Sequence, residues 1–329
     1  MGLNPYIMKR KVVFRADGSH KIGYGHFIRC LGIAGLIKDD FDCAYATISP
    51  TPYQVAEINA VCKLIQVPDN NDFLSCLVGD EIVVIDDYNS TAEFQLAVKA
   101  KGCKVVYIDD HNDKQYVCDV LINNIPGFAA DSFKTADYTR LYLGTDYALL
   151  RSEFLNKELR TIKPNINEAF LAFGGSDIFN LSPRFIKWLN EVDATLKINL
   201  LIGDAYKHFD DLQEFSNLNI YKNISAAQVA NLIAQSNVCI VPASSLLNEA
   251  AAVSSKLIIG YFADNQVMPY NYFVDNKLAL GLNDYRDATF EQFASTYKAA
   301  LTADYLVDNQ REAYHYQQGD NLKNIFYNV

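Results

Sequence analysis

The chain has 329 residues, half of them hydrophobic and 21% charged, which is more apolar side chain than one ordinary core holds and points to two globular domains. A formal net charge of −10 excludes general affinity for a nucleic-acid backbone, while leaving room for a local basic pocket around a small anion. The seven cysteines include no Cys-x-x-Cys pair, and no window approaches the ~18 apolar residues of a membrane span, so a disulfide frame, a zinc site and a membrane-embedded fold are set aside.

Lys9 to Lys11 are basic with no long apolar run behind them, so no secretory leader is expected and the protein reads as cytoplasmic. From there, short apolar runs alternate with helical patterns. Strands are expected at Lys11–Asp17, Asp42–Ile48, Leu64–Val67, Glu81–Tyr88, Cys103–Asp110 and Val120–Asn123, with helices such as Phe27–Lys38, Pro52–Ala60 and Ala92–Lys101 between them. The segment 153–166 is charged, carries Pro164 and reads as a linker between a domain at 1–152 and another at 167–329. Alternation restarts with strands at Ala169–Phe173, Leu196–Ile202, Asn219–Tyr221, Val238–Val241 and Leu257–Phe262. Helices are expected at Leu181–Val192, Ala226–Ala234, Leu246–Val253 and Met268–Asn276, and a helical tail from Phe290 to about Tyr327 is counted with the second domain, though it suits either. The fold class is α/β, with parallel sheets built from βαβ units. Ligands of such sheets bind beyond the carboxyl ends of the strands, which places the expected ligand between the domains.

The first strand feeds the richest stretch, Arg15-Ala-Asp17-Gly-Ser-His20-Lys-Ile-Gly23-Tyr-Gly25-His26-Phe-Ile-Arg29. A glycine-walled loop opening a helix offers backbone donors and a positive dipole end to an anion. It is not a dinucleotide fingerprint, because Ile28 stands at the third glycine position and no acid ends the second strand, so no nicotinamide cofactor is expected. The positive end of a helix disfavours imidazolium, which suits His26 to act as a base toward water; a plain surface histidine is the bland alternative. Arg15 and Arg29 lie on the same edge as candidate ligand contacts, or Arg29 pairs with a strand-end acid such as Asp17 or Asp86. His111, His208 and His315 lack a comparable setting, and no two histidines are spaced to share a metal.

Gly174-Gly175-Ser176-Asp177, with Asn180, follows the strand that opens the second domain and suits a phosphate oxygen, or is an ordinary turn capped by Asp177 or Asn180. Ser244 and Ser245 precede a helix in the same way, with Asn248 and Glu249 one turn in; Glu249 is placed to accept two ribose hydroxyls, and a capping box is the simpler reading. Asn265-Gln266 starts the next helix on that edge. Asp40-Phe-Asp42 lies at the wrong edge for a metal-bound sugar nucleotide, so no metal and no cofactor are expected.

Seven pieces in order resemble the PseG-type UDP-2,4-diacetamido-2,4,6-trideoxy-β-L-altropyranose hydrolases of the pseudaminic acid pathway. They are Arg15-Ala-Asp-Gly…Gly-Tyr-Gly-His26-Phe-Ile-Arg29-Cys, Ile85-Asp-Asp-Tyr88, Ile108-Asp-Asp…Cys118-Asp, Leu143-Gly-Thr-Asp-Tyr-Ala-Leu-Leu-Arg-Ser-Glu-Phe154, Phe173-Gly-Gly-Ser-Asp-Ile-Phe-Asn180, Ser244-Ser-Leu-Leu-Asn-Glu249 and Asp264-Asn-Gln266. The resemblance implies a GT-B architecture, two Rossmann-like doubly wound domains facing a cleft, as in inverting glycosyltransferases. It implies His26 as general base, Tyr88 on the acceptor side, and UDP on Gly174–Ser176, Ser244–Ser245, Glu249 and Asn265–Gln266. Asp87 stands where some relatives have histidine, which leaves the sugar open. The expected chemistry is metal-free hydrolysis of a UDP-sugar by a monomeric protein. A GT-B glycosyltransferase, or a sugar-nucleotide-binding protein without catalysis, is the alternative.

Overall fold

In the first strand, Val12, Phe14 and Ala16 face one apolar layer while Val13 and Arg15 face the other, the period-two alternation of a strand covered on both sides. The computed structural model describes residues 9–19 and 23–329, so His20 lies outside the described residues. The chain divides into two units, one reaching to Arg151 and including Gln318–Val329, the other running Ser152–Gln317.

The first unit contains β1 (Lys11–Ala16), α1 (Gly25–Ile37), β2 (Asp42–Thr47), α2 (Pro52–Val61), β3 (Lys63–Gln66), α3 (Asn70–Cys76), β4 (Ile82–Asp86), α4 (Ala92–Ala100), β5 (Lys104–Ile108), β6 (Gln115–Tyr116), β7 (Val120–Asn123), β8 (Lys134–Thr135) and β9 (Arg140–Leu143). Seven of these strands form one sheet in the order β3-β2-β1-β4-β5-β7-β9, every pair parallel, while β6 and β8 pair separately. Helix α1 and residues of α2 cover one face, and Phe73 of α3 with Val98 of α4 cover the other. The order of connection reverses between β1 and β4, and a doubly wound sheet opens a crevice at such a point.

The second unit contains β10 (Asn165–Leu171), α5 (Leu181–Val192), β11 (Lys197–Ile202), β12 (Leu218–Lys222), α6 (Ala226–Gln235), β13 (Ser236–Pro242), α7 (Ser245–Val253), β14 (Leu257–Tyr261), α8 (Val267–Asp275), β15 (Leu280–Asp284), α9 (Phe290–Leu301) and α10 (Asp304–Ala313). Its six strands run in parallel in the order β12-β11-β10-β13-β14-β15, with the reversal between β10 and β13. Capping boxes fix two helix starts, Ser225 with Gln228 on α6 and Thr289 with Gln292 on α9.

Three features differ from the sequence reading. The short elements α3, β9 and β15 carry little periodicity: α3 is polar except for Phe73, Leu74 and Cys76, and β15 contains Gly281 and Asn283. The segment expected as a linker is docked instead, because Phe154 and Leu159 are buried and Arg160 Nε donates to the Ala252 carbonyl at 2.8 Å. The tail splits: α11 (Gln318–Asn328) belongs to the first unit, where Leu322, Ile325 and Phe326 form an apolar stripe in the core beside Phe41.

Candidate active site

Asp86 closes β4, and β4 lies directly beside β1, so the carboxyl arrives next to the helix that follows β1. His26 sits in the first turn of α1 and Arg29 one turn further along, on the same face. All three side chains are buried. His26 Nδ1 lies 2.6 Å from Asp86 Oδ1; Arg29 donates from Nε to Oδ2 and from Nη2 to Oδ1, both at 2.5 Å. The Cys30 thiol adds a longer contact to Oδ2 at 3.7 Å.

These distances fix the imidazole tautomer. A bare Nδ1 would set its lone pair against a carboxylate oxygen, so Nδ1 carries the hydrogen and donates it. The 3.0 Å approach of Arg29 Nη2 to Nδ1 follows from two donors sharing one acceptor oxygen. In the neutral ring Nε2 then holds the free lone pair, and among the described residues it has no hydrogen-bond partner. Burial alone would raise the Asp86 carboxyl; the charge and hydrogen bonds of Arg29, and then His26, outweigh it and hold the group well below the usual range. Burial likewise works against the Arg29 charge, and Asp86 and Asp110 overcome it and drive the guanidinium up.

A second ring of groups surrounds this core. Arg29 Nη1 donates to Asp110 Oδ2 at 2.8 Å, and the Tyr88 hydroxyl donates to the same oxygen at 3.0 Å. The Tyr88 ring meets His26 edge-on at 4.2 Å between centroids and His111 at 4.5 Å. Lys114 Nζ fixes the Tyr88 carbonyl at 2.8 Å. Asp110 follows β5, the strand next to β4, which explains how residues far apart in sequence meet at one edge.

In the second unit, the turns after β10, β13 and β14 lie at the carboxyl ends of neighbouring strands. Gly174 (φ +80°) and Gly175 are exposed and Ser176 is half-buried. Asp177 is buried, and its carboxylate accepts from the Leu181 and Ser182 amides, each at 2.8 Å. The first amides of α5 are therefore already satisfied by an internal anion, so Asp177 takes the capping alternative, and the amides of the Gly174–Ser176 turn before it are not engaged by this carboxylate. Asn180 Nδ2 donates to Asp211 at 2.7 Å, Asn248 Oδ1 accepts from the Tyr314 hydroxyl at 2.5 Å, and Gln266 Oε1 accepts from the Phe262 amide at 3.0 Å. Helix α7 differs: Ser244 stands at its N-cap and makes no side-chain capping bond, so the expected capping box is absent. Ser244 is half-buried, Ser245 and Asn265 are exposed, and Glu249 is buried within α7.

No family model matches the chain. Over 272 residues it is 30% identical to the UDP-2,4-diacetamido-2,4,6-trideoxy-β-L-altropyranose hydrolase of Campylobacter jejuni subsp. jejuni, an alignment covering 78% of this chain and 93% of that protein. The chain belongs to that hydrolase family. It is also 24% identical over 280 residues to the spore coat polysaccharide biosynthesis protein SpsG of Bacillus subtilis, covering 81% of this chain and 82% of that one. Among solved structures it resembles MurG of Acinetobacter baumannii with a TM-score of 0.67 at 12% identity, covering 97% of this chain and all of that one. The fold of this family member is that of the GT-B glycosyltransferases.

Within this hydrolase-family chain, the residues named from sequence separate into groups. His26, Arg29 and Tyr88 come together, and Arg29 takes the ion-pairing alternative, with Asp86 and Asp110. Arg15 is buried on the opposite face of β1 from α1, donating to Asn70 at 3.0 Å and pairing with Asp17 at 2.8 Å. Asp17 in turn accepts from the Thr47 hydroxyl and the Ile48 amide at 2.9 and 2.8 Å, so this pair braces the loop after β1. Gly23 (φ +82°) closes that loop through a two-way backbone bridge with Ser19, and Gly25 is the first residue of α1. His111 was set aside on sequence, yet it lies against Tyr88. Asp86 and Asp110 were legible only as strand-end acids; their ending adjacent strands was the available signal. Among the described residues, no group of three His, Cys, Asp or Glu side chains forms a metal-ligand set, and no helix is long and apolar enough to cross a membrane.

Proposed function

We propose that this protein hydrolyses a UDP-linked deoxy-diacetamido sugar, breaking the bond between the anomeric carbon and the diphosphate oxygen with inversion. The observation that carries this reading is the 2.6 Å His26–Asp86 contact, which puts the ring hydrogen on Nδ1 and the basic lone pair on Nε2. Nε2 takes a proton from water as the water oxygen bonds to the anomeric carbon. The C–O bond breaks on the opposite face, and UDP leaves with the electron pair. Kinship with the Campylobacter hydrolase supports the substrate class. The Gly174–Ser176 amides and the uncapped N-terminus of α7 suit the diphosphate, where each preorganised donor is worth roughly 3 kcal/mol at the transition state.

Turnover of UDP-diacetamido sugars in ¹⁸O-water tests the bond cleaved. Label in the free sugar is expected; label in the UDP phosphate means attack at phosphorus and refutes the mechanism. His26→Asn is expected to abolish turnover with UDP affinity nearly unchanged, and a variant that stays active while losing UDP removes His26 as base. UDP release that requires an acceptor alcohol converts the reading to a glycosyltransferase using the same base.

A further inference from the structure

The Asp110 carboxyl has one oxygen in use and one that, among the described residues, accepts no hydrogen bond. Oδ2 accepts from Arg29 and Tyr88, at 2.8 and 3.0 Å. Oδ1 is shut away from water and has no hydrogen-bond donor among the described residues; the His111 Nε2 stands 3.8 Å off, beyond hydrogen-bond range. The side chain is only 10% exposed. A buried carboxylate oxygen without a donor is a costly arrangement, and one standing beside a reaction centre is open to a donor that a ligand brings. The His111 ring beside it is exposed, and exposed side chains change rotamer on the nanosecond scale.

We propose that Asp110 is a specificity-determining residue whose Oδ1 receives an N–H or O–H donor of the substrate's sugar once the His111 ring turns aside. The inference rests on the UDP-sugar reading above and deepens it. The sugar this site selects carries a hydrogen-bond donor, an acylamino N–H or a hydroxyl, on a carbon close to the one attacked. Because Oδ2 is held by two donors, an amide in place of the carboxyl keeps its oxygen toward Arg29 and Tyr88. Asp110→Asn therefore puts an NH2 where Oδ1 stood and turns an acceptor into a donor.

The test is steady-state UDP release by the wild type and by Asp110→Asn, on the parent UDP-diacetamido sugar and on analogues in which one donor at a time is replaced by hydrogen. The wild type is expected to lose about 10- to 100-fold in kcat/KM on one analogue, the cost of a lost hydrogen bond to a charged group. Asp110→Asn is expected to show that loss on the parent sugar and no further loss on that analogue. Whether that analogue lacks the N–H or the hydroxyl identifies the donor. A uniform fall on all substrates with discrimination intact shows that Asp110 acts only through Arg29 and Tyr88, and overturns the proposal. A wild type indifferent to every deletion overturns it without any variant. Asp110→Glu, which keeps the charge and moves the acceptor, replaces the amide if that chain does not fold. A wild type that releases UDP from no UDP-sugar sinks the underlying reading, and this inference with it, an outcome distinct from an active enzyme without selectivity.

Discussion

At the scale of single residues, Asp86 does two jobs that a substitution separates. It places the His26 hydrogen on Nδ1, and it neutralises a guanidinium buried with it. Asp86→Asn is isosteric but uncharged, so Arg29 keeps only Asp110 as an anionic partner and the imidazole loses its fixed tautomer. The expected result is a fall in kcat of about 10²- to 10⁴-fold, measured where circular dichroism shows the variant folded. Stability is expected to drop by about 3–5 kcal/mol, the range for breaking a buried ion pair from one side. An unchanged kcat would remove Asp86 from the mechanism.

The same carboxyl sets a pH response. Its native value lies well below the unfolded one of about 3.9, so between those values the unfolded chain binds the extra proton. The contribution to stability is complete above about pH 4 and is lost as the pH falls through the native value. Denaturant midpoints are expected to fall with acidification in that window, and to fall less steeply in Asp86→Asn. Equal slopes would mean that other carboxylates carry the acid sensitivity.

At the scale of elements, backbone approach positions the second unit's first turn. Gly203, just after β11, donates its amide to the Gly175 carbonyl at 3.0 Å. A Cβ built on Gly203 would stand 2.7 Å from the Gly175 Cα and 2.8 Å from its oxygen, too close for any side chain. Gly203→Ala must therefore displace the turn, with overpacking worth about 1–3 kcal/mol. UDP affinity measured by calorimetry is expected to weaken by about tenfold or more. Full UDP affinity in a folded Gly203→Ala protein would mean that this turn does not hold the nucleotide. Elements also explain which parts were readable in advance. Runs with a strong apolar signal, such as the fully buried strand Val120–Asn123 and the amphipathic helix Leu181–Val192, match the sequence expectation residue for residue. The short and polar ones, such as α3, form because Asp69 caps them and Phe73 reaches the core, which local periodicity does not reveal.

At the scale of the whole molecule, the chain leaves the first unit at Arg151 and returns to it at Gln318. The returning helix is part of that unit's core: Phe326 is buried, 6.1 Å from Phe41 between ring centroids. Phe326→Ala is expected to cost about 3–5 kcal/mol in urea unfolding, the range for emptying a buried aromatic site. A change within the noise of a surface substitution would show that α11 packs only loosely. Composition could not assign this helix, because an amphipathic stripe states that a partner exists without naming it.

What the sequence by itself determined is local: the α/β alternation, the glycine turns after the first strand of each unit, His26 at a helix start, and the ordered motifs of a hydrolase family. Strand order belongs to the tertiary structure. Only the pairing of β1 with β4, and of β4 with β5, brings Asp86 and Asp110 to residues some sixty and eighty positions earlier. Burial decided the rest. Inside the fold Asp177, Asn248 and Gln266 must satisfy backbone and side-chain groups beside them, so the polar residues that looked poised for a ligand were divided by which ones the fold had already used.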